Sequence, residues 1–266
     1  MDLGIKEKIA LITGSDSGIG KATAKQLLAE GATVILTDIE EDKLAETAEK
    51  LQQEGKVYSY PADIRNTESL KKLHQQIKDN VGKIDILVQN AGTSGAQGEF
   101  HEIEDDGWVE TLEVDLLGPV RVTREFLSDL RSGGWGRIVY LSSENAVQPY
   151  ADELPYDAAK AGVLSFSKGL SRAYAKEGLL VNTVSPAFIE TPMTDEMMEK
   201  RSKEMDVSFD KAVETFLDEK RPHIELKRRG QAEEVAAVIS FLCSDKASFV
   251  NGANYRVDGG SVATIQ

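Results

Sequence analysis

The sequence predicts an α/β protein built on one doubly wound parallel sheet of about seven strands flanked by helices. Three observations carry this prediction. Short β-branched runs alternate with longer amphipathic stretches throughout the 266 residues. Most of the short runs are apolar throughout, as strands covered on both faces are. The β-then-α order also repeats, which calls for right-handed crossovers between parallel strands.

The elements follow in order. Strands are expected over 9–13, 33–37, 57–60, 84–89, 137–142, 179–184 and 254–257. Helical patterns occupy 18–30, 40–54, 67–81, 104–131, 153–177 and 231–243. Residues 190–230 break the rhythm with Thr191-Pro192-Met193, many charges and Arg221-Pro222, and read as an excursion suited to a substrate lid. No linker-like, repeated or low-complexity segment interrupts the chain, so residues 1–266 read as a single domain.

Composition narrows the function classes. With 41% hydrophobic and 29% charged residues, the chain has the means to bury a core and is not of the disordered class. Its 31 basic against 45 acidic residues give a formal charge of −14, which argues against nucleic acid or an anionic membrane as main partner. No apolar run has the length of a membrane span and no secretory leader is visible. A single cysteine, Cys243, suits a reducing compartment, so a cytoplasmic location is expected. Three histidines and no ligand-like spacing suggest no metal site.

The first strand runs into Thr13-Gly14-Ser15-Asp16-Ser17-Gly18-Ile19-Gly20 and then a helix. Glycines in such a turn let backbone amides approach a pyrophosphate at the helix N-terminus. Gly14, Ser17, Gly18, Ile19 and Gly20 are therefore candidate cofactor contacts; the plain alternative is a ligand-free β–α turn. The second strand ends at Asp38, whose carboxylate suits ribose hydroxyls and repels a 2′-phosphate, or else caps the following helix. Asp63 and Ile64 follow the third strand, where a side chain could meet an adenine edge; capping explains Asp63 equally well.

Further motifs stand in order: Asn90-Ala91-Gly92, Ser143, Tyr156-Asp157-Ala158-Ala159-Lys160, Pro186-Ala187 and Val257-Asp258-Gly259-Gly260. From Thr13 to Gly260 the chain resembles the compact short-chain dehydrogenases/reductases. That resemblance implies a Rossmann-type single domain with strand order 3-2-1-4-5-6-7, a nicotinamide cofactor, and a homotetramer or dimer. It makes Ser143, Tyr156 and Lys160 the catalytic group. It adds Asn90, Ala91, Gly92, Tyr156, Lys160, Pro186, Ile189 and Thr191 to the cofactor contacts.

Elementary chemistry agrees with the spacing. Tyr156 and Lys160 are four apart, so on a helix they share a face. A phenol titrates near ~10, and an ammonium about 4 Å away is worth roughly three pK units, enough to bring Tyr156 towards neutral working range. Tyr156 would move the proton, Lys160 would also hold the nicotinamide ribose, and Ser143 would hold the substrate oxygen. Asp115 stands where the family usually has an Asn that supports a proton relay, so the relay is in question.

The function expected is an NAD(H)-dependent oxidoreductase acting on a small secondary alcohol or ketone, with NADP less favoured because of Asp38. The alternatives are an NADPH-dependent 3-ketoacyl-thioester reductase and a non-catalytic dinucleotide-binding regulator. Glu144 reads either as a substrate-facing group or as an ordinary surface or capping acid. His74 and His223 read as surface residues, and Lys227-Arg228-Arg229 as a solvated turn.

Overall fold

A computed structural model describes residues 2–265. The elements are β1 (Ile9–Thr13), α1 (Gly18–Ala29), β2 (Thr33–Thr37), α2 (Glu41–Leu51), β3 (Val57–Ser59), α3 (Thr67–Asn80) and β4 (Ile86–Gln89). Then come α4 (Asp105–Leu112), α5 (Gly118–Ser132), β5 (Gly136–Leu141), α6 (Leu154–Tyr174), β6 (Leu179–Pro186) and β7 (Ile189–Glu190). The chain closes with α7 (Pro192–Met205), α8 (Phe209–Glu219), β8 (Gly230–Gln231), α9 (Ala232–Leu242) and β9 (Asn254–Val257). The central sheet has seven strands in the order β3-β2-β1-β4-β5-β6-β9, every pair parallel. The expected strand order is thus present, with β9 as its seventh member.

Strand alternation divides the core in two. Ala10 and Ile12 of β1, Val34 and Leu36 of β2, and Ile86 and Val88 of β4 pack with α1, α2 and α9. Leu11, Ile35 and Leu87, one residue out of phase, pack with α3, α5 and α6. Each fully buried side chain of this size contributes about 1.5–3 kcal/mol. Two-sided covering is why these strands are apolar at successive positions.

The pattern over 104–131 is not one helix. A π-helical turn, Glu113–Leu117, separates α4 from α5, and Gly118 N–H bonds the Glu113 carbonyl five residues back. The cause is local: Pro119 has no N–H to offer the Asp115 carbonyl four residues before it. The widened turn carries Asp115 inward.

The excursion at 190–230 is mostly helical. Its two ends are pinned together where β7 pairs with β8. Thr191 and Thr194 form a reciprocal cap on α7, and Ser208 caps α8. Phe188, Met198, Phe216, Leu217 and Ile224 make a small apolar cluster inside it.

Two surface expectations, and the surface reading of Glu144, are corrected by packing. His74 lies half-buried between α3 and α5, 2.8 Å from Glu125 and 3.2 Å from Asp129, with its ring on Phe126. Arg229 is buried and bonds the Thr194 hydroxyl and Asp195 across the base of the excursion. Glu144 is buried too, because Tyr150, Arg221 and the C-terminal segment cover it.

Candidate active site

The strand order reverses direction between β1 and β4, and a crevice of about 540 Å³ lies at the carboxyl ends of the strands there. Its floor is the glycine turn. Gly14 has φ +65°, and a Cβ there would sit 2.6 Å from the Ala91 Cα. Gly20 does not line the crevice as expected: a Cβ on it would strike the Gly14 carbonyl, so its bare face lets α1 begin directly under the turn. Asn90 Nδ2 donates to the Gly14 carbonyl at 2.6 Å, and Thr13 Oγ1 accepts from the Asn90 and Ala91 amides at 3.1 Å. Thr47 Oγ1 donates to the Asp16 carbonyl. The turn is therefore fixed before any ligand arrives.

Around this floor the structure brings together Gly14, Ser17, Gly18, Ile19, Asp38, Asp63, Ile64, Asn90, Ala91, Gly92, Ser143, Tyr156, Lys160, Pro186, Ile189 and Thr191. A glycine turn at a helix N-terminus, with a carboxylate at the end of β2, fits a dinucleotide. Asp38 accepts from its neighbour Ile39 N–H at 2.8 Å and from Asp16 N–H at 3.4 Å. Burial pushes its carboxyl up, and the adjacent Asp16 carboxylate adds to this. Asp63 is taken up by Arg65, whose guanidinium bonds it at 2.9–3.2 Å and holds its carboxyl below the usual range. Its oxygens are thus engaged in an ion pair, and Arg65, unnoticed in the sequence, brings a cation to the same wall.

At the other end, Ser143 follows β5 and donates to Asn145 Oδ1 at 3.0 Å. Ser142 Oγ donates to the Lys160 carbonyl at 3.0 Å, which ties β5 to α6. The Lys160 Nζ lies 5.3 Å from the Tyr156 ring centre, 3.4 Å from the Leu141 carbonyl and 3.1 Å from Asp115 Oδ1. Asp115 is fully buried behind Lys160 and is not part of the wall. Thr93 seats it, donating from its amide at 3.2 Å and from its hydroxyl at 2.9 Å.

This geometry corrects one expectation about Tyr156. Burial pushes its phenol up, Lys160 pulls it down, Asp115 pushes it up again, and the net position is above the ordinary value. The Lys160 ammonium is partnered, so its field is not left to the phenol alone. Burial pulls Lys160 down, but Asp115 and Tyr156 outweigh it and leave the ammonium above its usual range. A proton-bearing phenol beside a fixed cation, open to a cavity, can deliver a proton to a carbonyl oxygen or recover it from an alcohol.

Sequence reasoning missed Thr93, Asn145, Glu153 and Arg221. Only Glu153 left a signal, three residues before Tyr156 and so on the same helical face.

Comparisons with known proteins agree with this geometry. Residues 14–262 match the family described as Enoyl-(Acyl carrier protein) reductase. The chain is 35% identical to the uncharacterized oxidoreductase YvrD of Bacillus subtilis over the whole of both proteins. It is 36% identical to the 3-oxoacyl-[acyl-carrier-protein] reductase FabG of Thermotoga maritima, covering 97% of this chain and 99% of that one. Among solved structures, L-sorbose reductase of Gluconobacter frateurii complexed with NADPH and L-sorbose superimposes with a TM-score of 0.93, at 34% identity and full coverage of both chains. The chain belongs to the short-chain dehydrogenase/reductase family of oxidoreductases.

Proposed function

We propose that the protein is an NAD(H)-dependent oxidoreductase that interconverts a small secondary alcohol and its ketone through Ser143, Tyr156 and Lys160. The observation that carries this is their meeting at the junction of the crevice and a second cavity, with Lys160 fixed behind Tyr156. When bound in the crevice, the nicotinamide dinucleotide supplies or accepts the hydride. Ser143 holds the substrate oxygen, and Tyr156 gives that oxygen its proton or takes it away. Lys160 stays charged, stabilises the tyrosinate and offers donors to the ribose. Asp115 is a positioning residue, fixing the ammonium through Thr93.

NAD(H) is the favoured dinucleotide because Asp38, at the end of β2 with Asp16 beside it, supports repulsion of a 2′-phosphate. The FabG relative favours a second reading, a 3-ketoacyl-thioester reductase, and the NADPH in the L-sorbose reductase structure favours NADPH as its dinucleotide. Comparing kcat/KM for the two dinucleotides decides between them: the Asp38 argument predicts preference for NAD(H), and preference for NADP(H) by the unmodified protein overturns it. The intact Ser143, Tyr156 and Lys160 weigh against a non-catalytic regulator. The chain then works as one domain, with 190–230 as its substrate lid. It assembles as a tetramer or dimer and works in the cytoplasm, with no nucleic-acid or membrane partner. Among the described residues no helix is long and apolar enough to cross a membrane.

A further inference from the structure

The second cavity, of about 670 Å³, shares Ser143, Tyr156, Ala187, Met193 and Thr194 with the crevice but none of the glycine turn. Phe188, Met193, Met197 and Phe216 give it apolar surface, while Asn145, Glu153 and Arg221 make it polar elsewhere. Glu153 is the N-cap of α6, one helical turn before Tyr156. Glu153 and Tyr156 line the same cavity, and the Glu153 charge is close enough to act on the Tyr156 phenol.

The position of Glu153 is fixed by its partners. Its Oε1 accepts from Arg221 Nη2 at 2.7 Å, and its Oε2 accepts from Asn145 Nδ2 at 2.8 Å. Asn145 in turn accepts from the Ser143 hydroxyl. Each Glu153 oxygen retains acceptor capacity for one more donor. Arg221 is buried, stacked 3.6 Å from the Tyr150 ring centre and flanked by Glu144 at 3.5 Å, so its charge is already matched. At the cavity mouth, exposed Lys200 pairs with Glu204 at 3.9 Å, and exposed Lys203 stands among the exposed carboxylates Glu196 and Glu199. Deep in the cavity a ligand meets the Glu153 acceptors beside a guanidinium whose charge is already matched.

Resting on the oxidoreductase reading above, we infer that the substrate is an uncharged hydroxylated ketone, a small polyhydroxy ketone rather than an acyl thioester, and that Glu153 selects it. With the carbonyl at Tyr156 and Ser143, a hydroxyl a few carbons along donates to Glu153, and the carbon skeleton lies on the Phe188 and Met193 side. Arg221 and Asn145 hold Glu153 in place, so the lid and the Ser143 loop are joined through the residue that reads the substrate.

The test is a matched-substrate comparison. Rates with either dinucleotide are measured for erythrulose against butanone, for fructose against 2-hexanone, and for acetoacetyl-coenzyme A. A hydrogen bond to a charged acceptor corresponds to roughly a 10- to 100-fold preference in kcat/KM for the hydroxylated member of each pair. Glu153→Gln should reduce that ratio towards one. Equal rates within each pair in the unmodified protein, or preference for the thioester, would overturn the substrate proposal and leave the oxidoreductase reading standing. Failure to turn over any of the five compounds would count against both. The ratio in the unmodified protein decides the matter even if the variant folds poorly.

Discussion

Asp115→Asn isolates what a carboxylate contributes behind the lysine. Two unit charges 3.1 Å apart attract by roughly 5 kcal/mol at an effective dielectric of about 20, and the desolvation of both partners offsets much of this. The substitution preserves shape. Asn Oδ1 can still face Lys160 and accept from Thr93 N–H. Its Nδ2 can donate to the Thr93 hydroxyl, which has two acceptor sites and gives only one of them to Gly95 N–H at 3.2 Å. The loss is therefore charge without hydrogen bonds, and stability should fall by about 1–3 kcal/mol. On catalysis the two consequences oppose. Tyr156 loses a neighbour that pushes its phenol up, which helps the tyrosinate form, while Lys160 loses the partner that keeps it charged. The expected net change at the pH optimum is within about tenfold, or ~1.4 kcal/mol in the barrier. The pH profile should move more clearly. Carbonyl reduction needs the phenol protonated, so its alkaline limb should shift to lower pH; alcohol oxidation needs the tyrosinate, so its acid limb should shift the same way. The assay is kcat/KM against pH in both directions. Unmoved limbs, or a hundredfold loss at the optimum in a folded variant, would refute the electrostatic account.

Two further predictions concern buried groups. Burial pushes the Glu144 carboxyl above its ordinary 4.5, with Asp258 adding to the shift while Ser261, Arg221 and Tyr150 pull it back. Its stability contribution is thus present below about 4.5 and lost as pH rises through the higher folded value. Glu144→Gln should therefore raise Tm more at pH 8 than at pH 4, and an equal shift at both would contradict this. Cys243 is fully buried with its thiol pushed up to about 12, so a thiol reagent should label it only on unfolding; fast labelling of the native protein would contradict the packing of α9.

What was legible in the sequence followed from strong local constraints. Apolar strands between glycine turns left little freedom in placement, and the ordered motifs located Ser143, Tyr156 and Lys160 correctly. The break in 104–131 was written in Pro119 but needs the consequence of one missing N–H, while hydrophobic spacing continues through it. Helix α7 was obscured because it buries only Met198 and so shows little periodicity, although the Thr191–Thr194 cap marked its start, whereas α8 carried a helical signal in Ala212, Phe216 and Leu217. The burial of Glu144 and Arg221 was not legible. They meet across 77 positions of sequence, and only the fold of the excursion over the Ser143 loop brings a guanidinium to those carboxylates. The position of the Tyr156 phenol depended on the same kind of distant partner, since Asp115 reaches Lys160 from another helix.

The central claim is that Tyr156 moves the proton while the rest of the site binds. Its most direct test is turnover of Tyr156→Phe on a substrate of the unmodified protein, with dinucleotide binding followed by fluorescence on the same sample. The account predicts a fall in kcat of roughly 10²–10⁴-fold with dinucleotide affinity largely retained. Near-normal turnover by the variant would contradict it.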